Sequence, residues 1–182
     1  MTTPIYKPQL DMTDWTKSDQ DKYNKLTSII DPHLHSFVAE HAMLENLMDK
    51  VREGYDLEVY RLALQEIKEE LEHHFLYEET FILGKLQNHI AETEVGPIAK
   101  LVQDHVIIRK HYNEAKELFE QEQAKECSEL LLQKMNFLAY LLKKHIEKED
   151  HYIFPLVSLV LSEEEKKAIA EEVRLADLQR QI

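Results

Sequence analysis

The chain has 182 residues, 35 of them acidic and 22 basic, for a formal net charge of -13 with histidine neutral. Such a length supports one compact domain with a sizeable core, and the acidic balance excludes nucleic acid, which needs a basic stripe that the sequence lacks. A lone cysteine, Cys127, excludes an internal disulfide and a cysteine-based zinc or iron–sulfur site, and no apolar run approaches the roughly 20 residues of a membrane span.

Three glycines and five prolines scattered among long unbroken runs predict an all-α protein. The start, "MTTPIYKPQLDMTDW", lacks the basic and apolar regions of a secretory signal, so a cytoplasmic protein is expected. Residues 1–30 read as an N-terminal arm with a short helix in "KSDQDKYNKLTSII". Residues 31–161 carry four longer helical patterns. Asp31 followed by Pro32 is a start signal, and the first bundle helix runs from Pro32 to Glu53, where Gly54 stops it. The second runs from Leu57 to the Gly84–Asn88 region. After "ETEVGP" the third spans Pro97 to Gln121, and a polar link, "EQEQAKE", leads to the fourth, which extends to Leu161 with a kink expected at Pro155. In residues 162–182, Ser162 and Glu165 form a capping-box pattern for a fifth helix, with the acidic run Glu163–Glu165 at its positive end.

Steps of three and four residues define one apolar stripe on each long helix. The stripes are Leu34, Phe37, His41, Leu44, Met48 and Val51; Tyr60, Leu64, Ile67, Leu71, His74, Glu78 and Phe81; Ile98, Leu101, His105, Ile108, Tyr112, Ala115 and Phe119; and Leu131, Met135, Leu138, Leu142, His145, Glu149, Tyr152 and Leu156. Short connections between four such helices predict an up-down-up-down antiparallel bundle.

Every stripe is interrupted by one histidine, and two also carry a glutamate four residues later, in "HFLYE" and "HIEKE". That spacing puts both groups on one helix face, about 6 Å apart along the axis. The depths agree as well. The midpoint between His41 and His74 falls just past Gly54, that between His74 and His105 falls between Gly84 and Pro97, and that between His105 and His145 falls in the polar link. Six side chains are therefore expected to meet at one level.

A buried carboxylate needs a positive counter-charge. Four imidazoles and two carboxylates suit transition metals better than calcium or magnesium, and they are too many for one tetrahedral zinc. Two metal ions share them naturally, with Glu78 and Glu149 bridging and a solvent-derived oxo or hydroxo group completing the bridge.

"EHAMLENLMDKV", "HHFLYEETF", "DHVIIRKH" and "HIEKEDHYIFP", taken in order, resemble the hemerythrin-like HHE family over residues 31–160. The resemblance implies a four-helix bundle with two non-haem iron ions, and His41, His74, Glu78, His105, His145 and Glu149 as ligands; manganese or a mixed pair is the alternative. It implies binding or sensing of oxygen, nitric oxide or peroxide, or a role in iron, oxidative or nitrosative stress. If the protein is an enzyme, it is a diiron oxidoreductase acting on one of those molecules. Arg109 stands where oxygen-carrying hemerythrins have a second histidine on the third helix, which puts reversible oxygen carriage in doubt. The N-terminal cysteine segment of the iron-centre repair proteins is missing from residues 1–30.

Iron storage or ferroxidase activity is a second reading. It wants two E-x-x-H motifs on paired helices, and the chain has one, Glu70 to His73, off the stripe. A metal-free helical interaction module is a third. Whether the chain forms a homodimer or binds a protein partner stays open. Among the remaining residues, His33, His35, His73, His89, His111 and His151 are expected at the surface or rim. Glu79 is expected as a solvated neighbour of Glu78, Tyr77 off the stripe, and Tyr112 and Tyr152 as core packing.

Overall fold

The structure is a computed structural model and describes residues 15–91, 96–122 and 128–182. Most of the expected arm, residues 1–14, the "ETEV" restart and most of the polar link with Cys127 lie outside the described residues. Among the described residues there are six helices and no strand. Helix α1 (Lys17–Ile29) opens on a capping box in which Thr16 Oγ1 accepts the Asp19 amide at 3.2 Å and Asp19 Oδ2 accepts the Thr16 amide at 2.8 Å. Helix α2 (His35–Glu53) follows a 3₁₀ turn, Pro32–Leu34, whose first free amide, that of His33, donates to Asp31 Oδ1 at 3.0 Å. Gly54 ends it.

Helix α3 is a rod over residues 57–86 in which α segments (Leu57–Glu69, Phe75–Tyr77, Gly84–Leu86) alternate with π turns (Glu70–His74, Glu78–Leu83). Helix α4 (Pro97–Glu122) is regular. Helix α5 covers residues 129–160 as Glu129–Lys148, a π turn at Glu149–Ile153, and Phe154–Val160. The irregularity expected at Pro155 thus takes the form of a π turn just before it. Helix α6 (Glu163–Arg180) starts on the Ser162–Glu165 capping box.

Helices α2 to α5 form the all-α bundle, α5 lying against both α2 and α4, while α1 packs on α2 and α6 closes over the 3₁₀ turn and the second π turn of α3. Two apolar clusters fill the interior. One, toward the Gly54 turn, includes Met48, Tyr60, Ile67, Tyr112, Met135 and Leu142; the other, beneath α1 and α6, includes Leu34, Phe37, Ile82, Leu86, Phe154 and Ile169. The polar layer lies between them.

On the regular helices α2 and α4 every residue of the expected stripes is buried. On α3 and α5 the stripes need correcting at the π turns. Leu71, Phe81 and Leu156 are half-buried and Tyr152 is 72% exposed, while Phe75, Ile82, Ile153 and Val157 take the inner positions. A π turn holds one more residue than an α turn and moves the inner face one residue along the chain. A strict 3.6-residue period cannot follow that step.

Candidate metal centre

The π turns fall on the two helices that carry H-x-x-x-E. His74 ends one π turn and Glu78 begins the next; Glu149 begins the π turn of α5, four residues after His145. Both four-residue steps run through α geometry, Phe75–Tyr77 in one and the end of Glu129–Lys148 in the other, so each histidine and glutamate share the inward face by the ordinary helical spacing. The regular helices α2 and α4 each supply a single histidine, His41 and His105.

All six predicted residues meet at one level, none more than 2% exposed. They form two groups. In one, His41 Nε2 lies 3.0 Å from His74 Nε2 and 3.0 Å from Glu149 Oε2, and His74 Nε2 lies 2.8 Å from Glu78 Oε1. In the other, His105 Nε2 lies 3.2 Å from His145 Nε2 and 3.3 Å from Glu78 Oε2, and His145 Nε2 lies 3.1 Å from Glu149 Oε1. Glu78 and Glu149 belong to both groups. Each presents one oxygen to each side.

Behind the rings stand four further carboxylates. His41 Nδ1 faces Asp150 Oδ1 at 2.7 Å, His74 Nδ1 faces Glu40 Oε2 at 2.6 Å, and His105 Nδ1 faces Glu79 Oε1 at 2.6 Å. An ionised carboxylate only accepts hydrogen bonds, so these three Nδ1 atoms donate and the inward Nε2 of each neutral ring carries a lone pair. Asp104 stands 3.8 Å from His145 Nδ1, beyond hydrogen-bond distance, and binds Lys148 Nζ at 2.6 Å instead. Phenylalanines wall the layer: Phe75 stacks on His105 with centroids 3.8 Å apart, Phe154 stacks on His41 at 5.4 Å, and Phe37 meets His74 edge-on at 5.0 Å.

Lone pairs thus point at lone pairs across distances near 3 Å. Both oxygens of Glu149 and Oε2 of Glu78 are buried and accept no well-oriented hydrogen bond, close as the imidazoles are. Such an arrangement is costly unless positive charge sits among the donors. The proton equilibria show the same demand. Burial opposes protonation of His41 and His74, yet Asp150 and Glu149 around the one, and Glu70, Glu78 and Glu40 around the other, hold both well above the usual histidine range. Burial likewise opposes a proton on His105, but Glu149 and Glu78 raise it to about 10. Burial also disfavours the Glu149 anion, and the surrounding imidazoles overcome it and keep the carboxyl well below its ordinary range. The layer favours positive charge among its donors, and the imidazole and carboxylate donor set is compatible with metal binding.

A family profile described as "Hemerythrin HHE cation binding domain" matches residues 33–172. The chain belongs to the hemerythrin HHE family. The match runs through the whole bundle and into α6. No curated protein and no solved structure gives a match. No helix among the described residues is long and apolar enough to cross a membrane.

Within this HHE domain, Arg109 turns away from the cluster, donating to Glu79 Oε1 at 3.0 Å and lying over the Phe75 ring. Glu79 is therefore not the solvated neighbour expected; it backs His105 and binds Arg109. Tyr112 is buried as expected, whereas Tyr77, expected off the stripe, is 7% exposed and donates to Asp177 Oδ1 at 3.1 Å. His35 Nε2 donates to the Ile30 carbonyl at 2.8 Å, His33 bonds Asp31, His89 bonds Glu165, and His151 is exposed; none of the six off-stripe histidines enters the inner groups. The residues behind the rings lie off the apolar stripes, yet their place in the sequence marks them. Glu40, Glu79, Asp104 and Asp150 each stand next in sequence to a residue of the cluster.

Proposed function

We propose that the chain is a non-haem diiron protein that binds or senses a small ligand such as dioxygen, nitric oxide or peroxide. One metal would be held by His41 and His74, the other by His105 and His145, with Glu78 and Glu149 shared between them. The observation that carries this reading is the pair of four-donor groups built on the same two carboxylates. A single-metal site has no use for the second group. A metal-free module leaves buried carboxylate oxygens without hydrogen bonds.

When bound, an iron pair supplies reversible redox chemistry and coordination positions for a small molecule. The chain's own residues set the terms. Asp150, Glu40 and Glu79 fix the rings of His41, His74 and His105 and raise their basicity through Nδ1. Phe37, Phe75 and Phe154 keep water out of the layer and lower its dielectric. With the six side chains almost wholly enclosed, a diatomic molecule or peroxide fits the available access and a large substrate does not.

Metal quantification with an aerobic absorption spectrum tests the reading. Two irons per chain with the near-ultraviolet absorption of a bridged ferric pair are expected, shifting on titration with azide or nitric oxide. One metal per chain, or continuous catalytic consumption of Fe(II) with oxygen, would favour a mononuclear site or a ferroxidase instead.

A further inference from the structure

Beside the inner layer lies a cavity of about 530 Å³ between α2 and α3, with Arg180 of α6 and Trp15 at its rim. Its walls carry four carboxylates, Glu40, Glu66, Glu69 and Glu70, against the cations Lys50 and Arg180. Arg180 is engaged, donating to Glu69 at 3.0 Å and to Asp177 at 3.2 Å. His74 closes the inner end. Its Nε2 belongs to the buried cluster, and its Nδ1 looks out toward the cavity.

Glu70 is the residue that the inner layer does not explain. It is 8% exposed, and its Oε1 accepts no hydrogen bond although it lies 3.6 Å from His74 Nδ1. The Nδ1 proton is directed to Glu40, 2.6 Å away. Two carboxylates thus converge on one ring edge that has a single proton to give. Donor atoms of Glu40, Glu70 and His74 all lie within 4.8 Å of one another. The first π turn of α3 begins at Glu70 and puts it inside while Leu71 turns partly out.

We propose that Glu40 and Glu70 form an outer divalent-cation site through which the inner pair is filled. This rests on the dinuclear reading of the inner layer. With His74 keeping its Nδ1 proton, two carboxylates and water make up the coordination, which suits a hard, exchangeable divalent cation held weakly. Glu66 and Glu69 add negative potential along the cavity and concentrate cations there. A cation at Glu40 and Glu70 is then separated from the inner donors only by the His74 ring.

Mn2+ is a suitable probe with the full-length protein. Crystals of the wild-type chain in saturating Mn2+ are expected to show anomalous density between Glu40 and Glu70 in addition to the inner pair. In solution, disappearance of the free Mn2+ resonance signal should be slowed at least tenfold by Glu70→Gln, with final occupancy still two per chain. Glu66→Gln, which removes cavity charge but no ligand, should slow it far less. Absence of outer density in crystals whose inner pair is filled would overturn the proposal, as would equal slowing in the two variants. Absence of that density is decisive even if Glu70→Gln fails to fold. A wild-type chain that never binds two metals would instead count against the dinuclear reading, independently of any density at Glu40 and Glu70.

Discussion

Asp150 Oδ1 lies 2.7 Å from Nδ1 of His41, joining the last helix of the bundle to the first. That contact closes a ring. Glu40 of α2 backs His74 of α3, Glu79 of α3 backs His105 of α4, Asp104 of α4 stands behind His145 of α5, and Asp150 of α5 backs His41 of α2. In three of the four steps a carboxylate of one helix bonds the histidine of the next, and in the fourth Asp104 stands 3.8 Å from the ring. The cluster is thereby tied to the packing of all four helices, since rotating any one of them disturbs its own histidine and, for α2, α3 and α5, the carboxylate behind a neighbour's ring.

Asp150→Asn removes the anion behind His41 while keeping its shape. Metal affinity is expected to fall about 10- to 100-fold, the usual consequence of losing such a partner, with the fold intact by circular dichroism. Competition against a chromophoric chelator measures it. Unchanged affinity would show that the ring orientation does not depend on Asp150.

Glu149→Gln alters a donor that belongs to both groups, so occupancy should fall at both positions. His105→Ala weakens one group and should leave about one metal per chain. Elemental analysis after equilibration with iron separates the two cases, and two retained metals in Glu149→Gln would end the shared-carboxylate interpretation. Because metal binds the folded chain, holo protein should melt higher than chelator-treated protein; free metal at a hundredfold excess over Kd adds about 2.7 kcal/mol.

The π turn at Glu149–Ile153 predicts opposite outcomes at adjacent positions. Tyr152→Ala, on a side chain 72% exposed, should change stability by no more than about 0.5 kcal/mol. Ile153→Ala, 6% exposed against the second core cluster, should cost about 2–4 kcal/mol. Urea unfolding of the two variants distinguishes this register from an uninterrupted α-helix, which reverses the order.

Asp31 lies away from the metal layer and gives a clean acid dependence. Partial burial disfavours its anion, but Lys166 Nζ at 2.7 Å and the His33 amide and ring outweigh that, and its pKa falls below the ordinary value. A carboxyl lowered on folding stabilises the native state fully above its unfolded pKa of about 3.9, and the contribution is lost as pH drops through the native value. The stability gap between wild type and Asp31→Asn should therefore be widest near neutrality and close below about pH 4. A gap independent of pH down to the acid limit would assign the effect to packing.

Much of this protein is written in local pattern. The boundaries of α2, α4 and α6 follow from Asp31-Pro32, Gly54, Pro97 and the Ser162–Glu165 box, because caps and breakers act through backbone groups a few residues away. The meeting of His41, His74, Glu78, His105, His145 and Glu149 was legible for a similar reason. In an antiparallel bundle with short turns, distance from the turn sets depth, and a four-residue step sets facing. Only the tertiary structure decided which acid stands behind which ring. Glu40 precedes His41 in sequence yet serves His74, because a side chain at the edge of one helix face points toward the neighbouring helix. The π turns were likewise out of reach, and with them the exchange of Tyr152 for Ile153 and the burial of Glu70. One extra residue in a turn shifts the inner face of the helix, and a pattern of three- and four-residue steps carries no sign of it.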